Sequence, residues 1–145
     1  MQVSQAMTRE VRVATPGQSI REAAKLMAEL DSGVLPVGEN DRLVGMITDR
    51  DIAIRAVAAG KDCDTPVREV MSSEVKYCYE DEDLDHVAKN MADIQVRRLP
   101  VVSREKRLVG IISLGDLAQS EKKSAAKAVS GVTRPRGQHN QSARA

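Results

Sequence analysis

The sequence contains no tryptophan and no phenylalanine, and its only aromatic residues are Tyr77 and Tyr79. A core without them must be aliphatic, and a site that grips a base by stacking it between rings is nearly excluded. Long apolar runs are missing as well. None approaches the roughly 20 residues needed to span a bilayer, and the first ten residues lack the basic-then-apolar layout of a secretory signal. A cytoplasmic location without a membrane partner is the expectation. The two cysteines, Cys63 and Cys78, lack metal-ligand spacing and are expected as free thiols in a reducing compartment. His86 and His139 lie far apart in sequence, so zinc chemistry has little support.

Net charge is almost absent, at +1, but it is unevenly spread. From residue 122 onward there are six basic residues (Lys122, Lys123, Lys127, Arg134, Arg136, Arg144) and no acid, leaving 16 basic against 21 acidic residues in the rest. The tail is rich in Ser, Gly, Gln and Ala and has no hydrophobic period beyond about Val129. Residues 121–145 are therefore expected to form a basic, disordered tail, and nucleic acid is a disfavoured partner. With 145 residues, 41% of them apolar, the chain can hold one mid-sized domain or two very small ones.

What is present is a duplication. A shift of 64 residues superposes Val3 on Val67, Met7 on Met71, Val11 on Val75, Met27-Ala28 on Met91-Ala92 and Leu35-Pro36-Val37 on Leu99-Pro100-Val101. After one inserted residue the shift is 65, and Arg42-Leu43-Val44-Gly45 matches Arg107-Leu108-Val109-Gly110, while Asp51 matches Asp116. The insertion falls in a polar stretch where a hairpin turn tolerates it.

Each copy predicts the same elements. An extended segment (11–14; 75–78) leads to a helix whose apolar residues are Ile20, Ala23, Ala24, Met27 and Leu30, or Leu84, Val87, Ala88, Met91 and Ile94. Ser19 and Asp83 precede them as N-caps, with Glu22 placed for a capping box. Two short strands follow (34–37 with 43–47; 99–102 with 108–112), then a closing helix from about Asp49 to Gly60 or from about Leu114. The fold class is α+β, two pseudo-symmetric βαββα repeats packed through their sheets as one module. The divisions are 3–60 for the first repeat, 61–70 for a linker with a short helical turn started by Thr65-Pro66, 67–120 for the second repeat, and 121–145 for the tail.

This order of elements, the Leu-Pro-Val strand, and the stretches Gly45-Met46-Ile47-Thr48-Asp49-Arg50-Asp51 and Gly110-Ile111-Ile112-Ser113-Leu114-Gly115-Asp116 resemble the cystathionine-β-synthase-type (CBS) domain. A tandem pair is similar to a Bateman module. The resemblance implies clefts between the repeats that bind adenosine-containing ligands such as AMP, ADP, ATP, NAD or S-adenosylmethionine. It further implies reporting by change of shape or association without turnover, and a homodimer.

The motif also suits such a ligand chemically. An ionised carboxylate is acceptor-only and matches the two adjacent hydroxyls of a ribose, so Asp51 and Asp116 are the candidates. Thr48 and Ser113, three residues earlier, place a hydroxyl at the same strand-to-helix turn, where first-turn amides favour phosphate. Gly45 and Gly110 allow either a close backbone approach or a strand bend. By the resemblance, Thr48, Arg50 and Asp51 share a cleft with Arg97 and Arg98 of the other copy, of which alternation along a strand brings only one inward. Ser113 and Asp116 correspondingly face Ser32, Gly33 and Val34, which supply no cation. Val75, with Ile47 or Val109, is expected to wall the adenine.

The acidic run Glu80-Asp81-Glu82-Asp83-Leu84-Asp85 lacks a calcium-loop pattern and suits a helix N-terminus instead. With no P-loop, nucleophile constellation or metal cluster, the chain is not expected to be an enzyme. The resemblance implies a regulatory module that needs no cofactor, binds AMP, ADP or ATP as ligand, and serves an unknown protein partner. A structural, dimerising adaptor with vestigial clefts is the alternative.

Overall fold

The computed structural model describes residues 1–120 and 129–132. It is a two-repeat α+β fold whose elements run α1 (Ile20–Leu30), β1 (Val34–Glu39), β2 (Arg42–Thr48), α2 (Asp49–Asp51, continued by a π-helical turn, Ile52–Val57), β3 (Cys78–Tyr79), α3 (Leu84–Ile94), β4 (Arg98–Val102), β5 (Leu108–Ser113) and α4 (Leu114–Ser120). Two further 3-10 turns cover Val3–Gln5 and Val67–Glu69.

Local sequence accounts for most boundaries. Ser19 caps α1 by accepting the Glu22 amide, and Asp83 caps α3 by accepting the amides of Asp85 and His86. The capping box expected at Glu22 forms only in half: its carboxylate meets the Ser19 hydroxyl at 3.3 Å, not the Ser19 amide. Both helices end on a residue in the left-handed region, Asp31 and Gln95. β1 and β2 pair antiparallel around Asn40 and Asp41, both at positive φ, as a two-residue turn of the primed type requires. In the second copy the equivalent paired positions are Ser103 and Arg107, whose backbones bond at 2.8 Å around three intervening residues instead of two, which is where the insertion fell. The first copy's leading segment is reduced to one parallel bridge, Ala14 with Val37, whereas β3 pairs parallel with β4. Pro66 occupies the cap of the Val67–Glu69 turn, one position later than the Thr65 expectation.

The chain divides into two compact units, and they are not the two sequence repeats. Among the described residues the first unit is Arg12–Val75, and the second joins Met1–Val11 to residues 76–120 and 129–132. Its leading arm places Val3 and Met7 in one core with Cys78, Leu84, Val87, Met91, Leu99, Ile112 and Leu117. Val67 and Val70, on the stretch read as a linker, are wholly buried in the first unit with Ile20, Ala23, Met27, Leu35 and Ile47. Burying such side chains stabilises each unit by about 1.5–3 kcal/mol apiece, so neither arm is a passive connector.

The helical stripes are narrower than their periodicity predicts on the first unit, where Ala24 is exposed and Leu30 is 39% exposed. On α3 Ala88 and Ala92, equivalent to Ala24 and the likewise exposed Ala28, are buried, and Ile94, equivalent to Leu30, is half-buried. Part of that cover comes from the C-terminal segment expected to lack structure: Val129–Val132 is helical, Gly131 and Val132 are buried, and the Gln95 side-chain amide donates to the Gly131 carbonyl at 2.7 Å. The rest of the tail lies outside the described residues. No helix among the described residues is long and apolar enough to cross a membrane.

Candidate functional site

In the first unit β2 ends in the extended residue Thr48, and the chain turns directly into α2. The Thr48 hydroxyl accepts the Asp51 amide at 2.9 Å, and the Thr48 amide donates to Asp51 Oδ2 at 2.9 Å. The motif is therefore a reciprocal capping box. Asp51 is 5% exposed, and its Oδ1 faces the Arg55 guanidinium at 3.8 Å. Both first-turn amides expected to receive phosphate here already have partners: Asp49 N–H donates to the Gly33 carbonyl and Arg50 N–H to the Asp49 carboxylate. A phosphate would have to displace these bonds, which corrects the expectation.

The second unit repeats the turn with differences. Ser113 Oγ accepts the Asp116 amide at 3.2 Å, and the Ser113 amide donates to Asp116 Oδ2 at 3.0 Å. The Ser113 hydroxyl donates to the same oxygen at 3.1 Å. Asp116 is half-buried, and its Oδ1 accepts from the Thr8 hydroxyl at 3.5 Å. The Leu114 amide donates to the Arg97 carbonyl.

Within each unit the strand entering the sheet lies beside that unit's own turn. Val34 is opposite Thr48 in the ladder, and Ser32 Oγ donates to the Val34 carbonyl. A Cβ on Gly33 would meet the Asp49 carboxylate at 2.6 Å. Arg98 is likewise opposite Ser113, half-buried, with Arg97 exposed. The structure thus brings Ser32, Gly33 and Val34 together with Thr48, Arg50 and Asp51, and Arg97 and Arg98 together with Ser113 and Asp116. Val75, half-buried, ends the first unit.

The two alternatives for the motif glycines are decided by what lies over them. A Cβ on Gly45 would fall 2.7 Å from Met71 Sδ and 2.8 Å from the Ser72 carbonyl; on Gly110 it would fall 2.6 Å from Met7 Sδ and 2.9 Å from the Thr8 carbonyl. The close approach is real, but the chain's own arm makes it. Of the expected adenine walls, Ile47 is wholly buried in the first unit's core, while Val109 is partly buried against the core of the second.

Several residues escaped the sequence reading. Arg55 was signalled only by its i, i+4 spacing from Asp51. Nothing in the sequence could connect Thr8 to Asp116, 108 residues away. Tyr77 and Tyr79 meet edge to face at 5.7 Å, with Arg104 4.2 Å above the Tyr79 ring. The acidic run is structural: Asp83 caps α3, Glu82 accepts the Tyr79 amide, and Asp81 holds Arg104 by two-pronged contacts. That guanidinium lowers the Asp81 pKa.

The family model for the CBS domain matches this chain twice, at residues 3–57 and 67–122. The chain belongs to the CBS-domain family, as a tandem pair. The CBS domain-containing protein YhcV of Bacillus subtilis is 44% identical over 90% of this chain and 94% of its own length. Among solved structures, Hypoxic Response Protein I with two coordinated zinc ions matches with a TM-score of 0.73 and 36% identity over 82% of this chain and 98% of that one. The CBS domain pair of MJ0100, in complex with 5′-methylthioadenosine and S-adenosyl-L-methionine, matches with a TM-score of 0.70 and 33% identity over 82% and 94%. Among the described residues of this chain no three His, Cys, Asp or Glu side chains are grouped to hold a metal ion.

Proposed function

We propose that this chain is a non-catalytic, cytoplasmic regulatory module that binds an adenosine-containing ligand and passes its occupancy to a protein partner by a change of shape or assembly. AMP, ADP and ATP head the ligand classes, followed by NAD and S-adenosylmethionine. The observation that carries this reading is the repeated geometry of the acids: in both units one carboxylate oxygen is fixed by the strand-end amide, which aims the other at a defined direction. An acceptor held this way is suited to a ribose diol, and the adenosine compounds bound by MJ0100 support that ligand class.

Each unit carries its own candidate cation. Arg97 and Arg98, beside the Ser113–Asp116 turn of their own unit, serve phosphate at Asp116, and Arg50 serves it at Asp51. Moderate, micromolar affinity is expected, about −8 kcal/mol. Leu30, Ile54 and Val57, exposed on the helices of the first unit at 39%, 55% and 68%, support a homodimer. Sedimentation at micromolar concentration tests that point.

The adaptor reading draws on a different observation, that Asp51 is 5% exposed and already capping its own turn. Thermal denaturation against millimolar AMP, ADP, ATP, NAD and S-adenosylmethionine separates the two. A ligand at a hundred times its dissociation constant stabilises by about 2.7 kcal/mol, whereas an adaptor melts at one temperature throughout.

A further inference from the structure

The two motif acids are not treated alike by their own units. Asp116 Oδ1 meets a neutral hydroxyl, that of Thr8, at 3.5 Å. Asp51 Oδ1 meets a cation, Arg55 Nε, at 3.8 Å, and the residue corresponding to Arg55 in the second copy is Ser120. Arg55 is held from the far side too: its Nη1 donates to the carbonyls of Val70 and Met71 at 3.4 and 3.3 Å. Its side chain is 24% exposed beside an acid side chain that is 6% exposed. A planar guanidinium with donors in a fixed fork can serve carbonyls and a carboxylate together, which a lysine ammonium on a flexible stem does less well.

We propose that Arg55 is the positioning residue for Asp51, fixing the orientation of its carboxylate and making the Asp51 turn a ribose acceptor different from the Asp116 turn. The inference rests on the ribose-binding reading of Asp51. Arg55 acts through Asp51, not on the ligand. Its removal should therefore weaken an uncharged nucleoside as much as a phosphorylated one.

The test uses the full chain with Asp116→Asn, which keeps the second turn's cap while muting its site. Titration with 5′-methylthioadenosine and with AMP compares Arg55 with Arg55→Met and Arg55→Lys, each with Asp51 or Asp51→Asn. Loss of one charge-assisted contact predicts about tenfold weaker binding of both ligands in Arg55→Met. Arg55→Lys recovers part of it, and Arg55→Met has no further effect once Asp51 is Asn. Unchanged affinity, a loss confined to AMP, or an equal loss in the Asn background overturns the assignment. If the parent binds neither compound, the ribose reading has failed, and amide exchange still decides on Arg55. The Thr48 amide, which donates to Asp51 Oδ2, should exchange about tenfold faster in Arg55→Met while Ser113 is unaltered. Equal exchange at Thr48 in both proteins contradicts the proposal.

Discussion

Ser72 pairs with Met46 across an isolated antiparallel bridge, so that a Cβ on the preceding residue, Gly45, would stand 2.8 Å from the Ser72 carbonyl oxygen. The glycine is needed because the chain's own backbone passes over it. Gly45→Ala should accordingly destabilise by about 1–3 kcal/mol through overpacking against Met71 and Ser72. Gly38 is the control, since its added Cβ would meet nothing nearer than 3.6 Å. Thermal denaturation of both variants checks the claim, and equal melting temperatures would count against it.

The leading arm belongs to the second unit's core. Met7→Ala should cost about 2–4 kcal/mol by the cavity rule, although Met7 lies far in sequence from the side chains it packs among. Urea unfolding measures the loss. A change under 0.5 kcal/mol would show that the arm is peripheral.

Burial pushes the Cys78 thiol up to about 12 from an ordinary value of 9.0, whereas Cys63 is exposed. The unfolded chain releases the Cys78 proton near pH 9 and the folded chain keeps it to about 12, so in that window the unfolded state binds fewer protons. Stability is complete below the unfolded value and falls as pH rises through the window, by at most about 1.4 kcal/mol per unit. Cys78→Ala should flatten that decline. A thiol reagent at pH 8 should modify one cysteine in the native protein and two in denaturant; two in the native protein would contradict the burial.

Much of the fold was legible because duplication made each copy a check on the other. The helix stripes, the Leu-Pro-Val strands, the Ser19 and Asp83 caps and the Asn40-Asp41 turn are local properties, written within a few residues. The exchange of arms was not legible, since Val3 and Val67 look alike and either could serve either core. The site was legible to the same degree. The hydroxyl–carboxylate pairs appear in the spacing itself, while Thr8 beside Asp116 and Met71 over Gly45 depend on tertiary contacts without a local signal. The occupied amides of Asp49 and Arg50 show why a helix start alone is weak evidence for phosphate: the loop that creates such amides can also satisfy them.

The ribose grip is most directly tested by titration calorimetry with AMP and S-adenosylmethionine on the parent, Asp51→Ala and Asp116→Ala. Loss of a charge-assisted acceptor should weaken the affected site about tenfold to a hundredfold. If both variants keep the parent's affinity and stoichiometry, the paired acids hold only their own turns, and the chain is an architectural module.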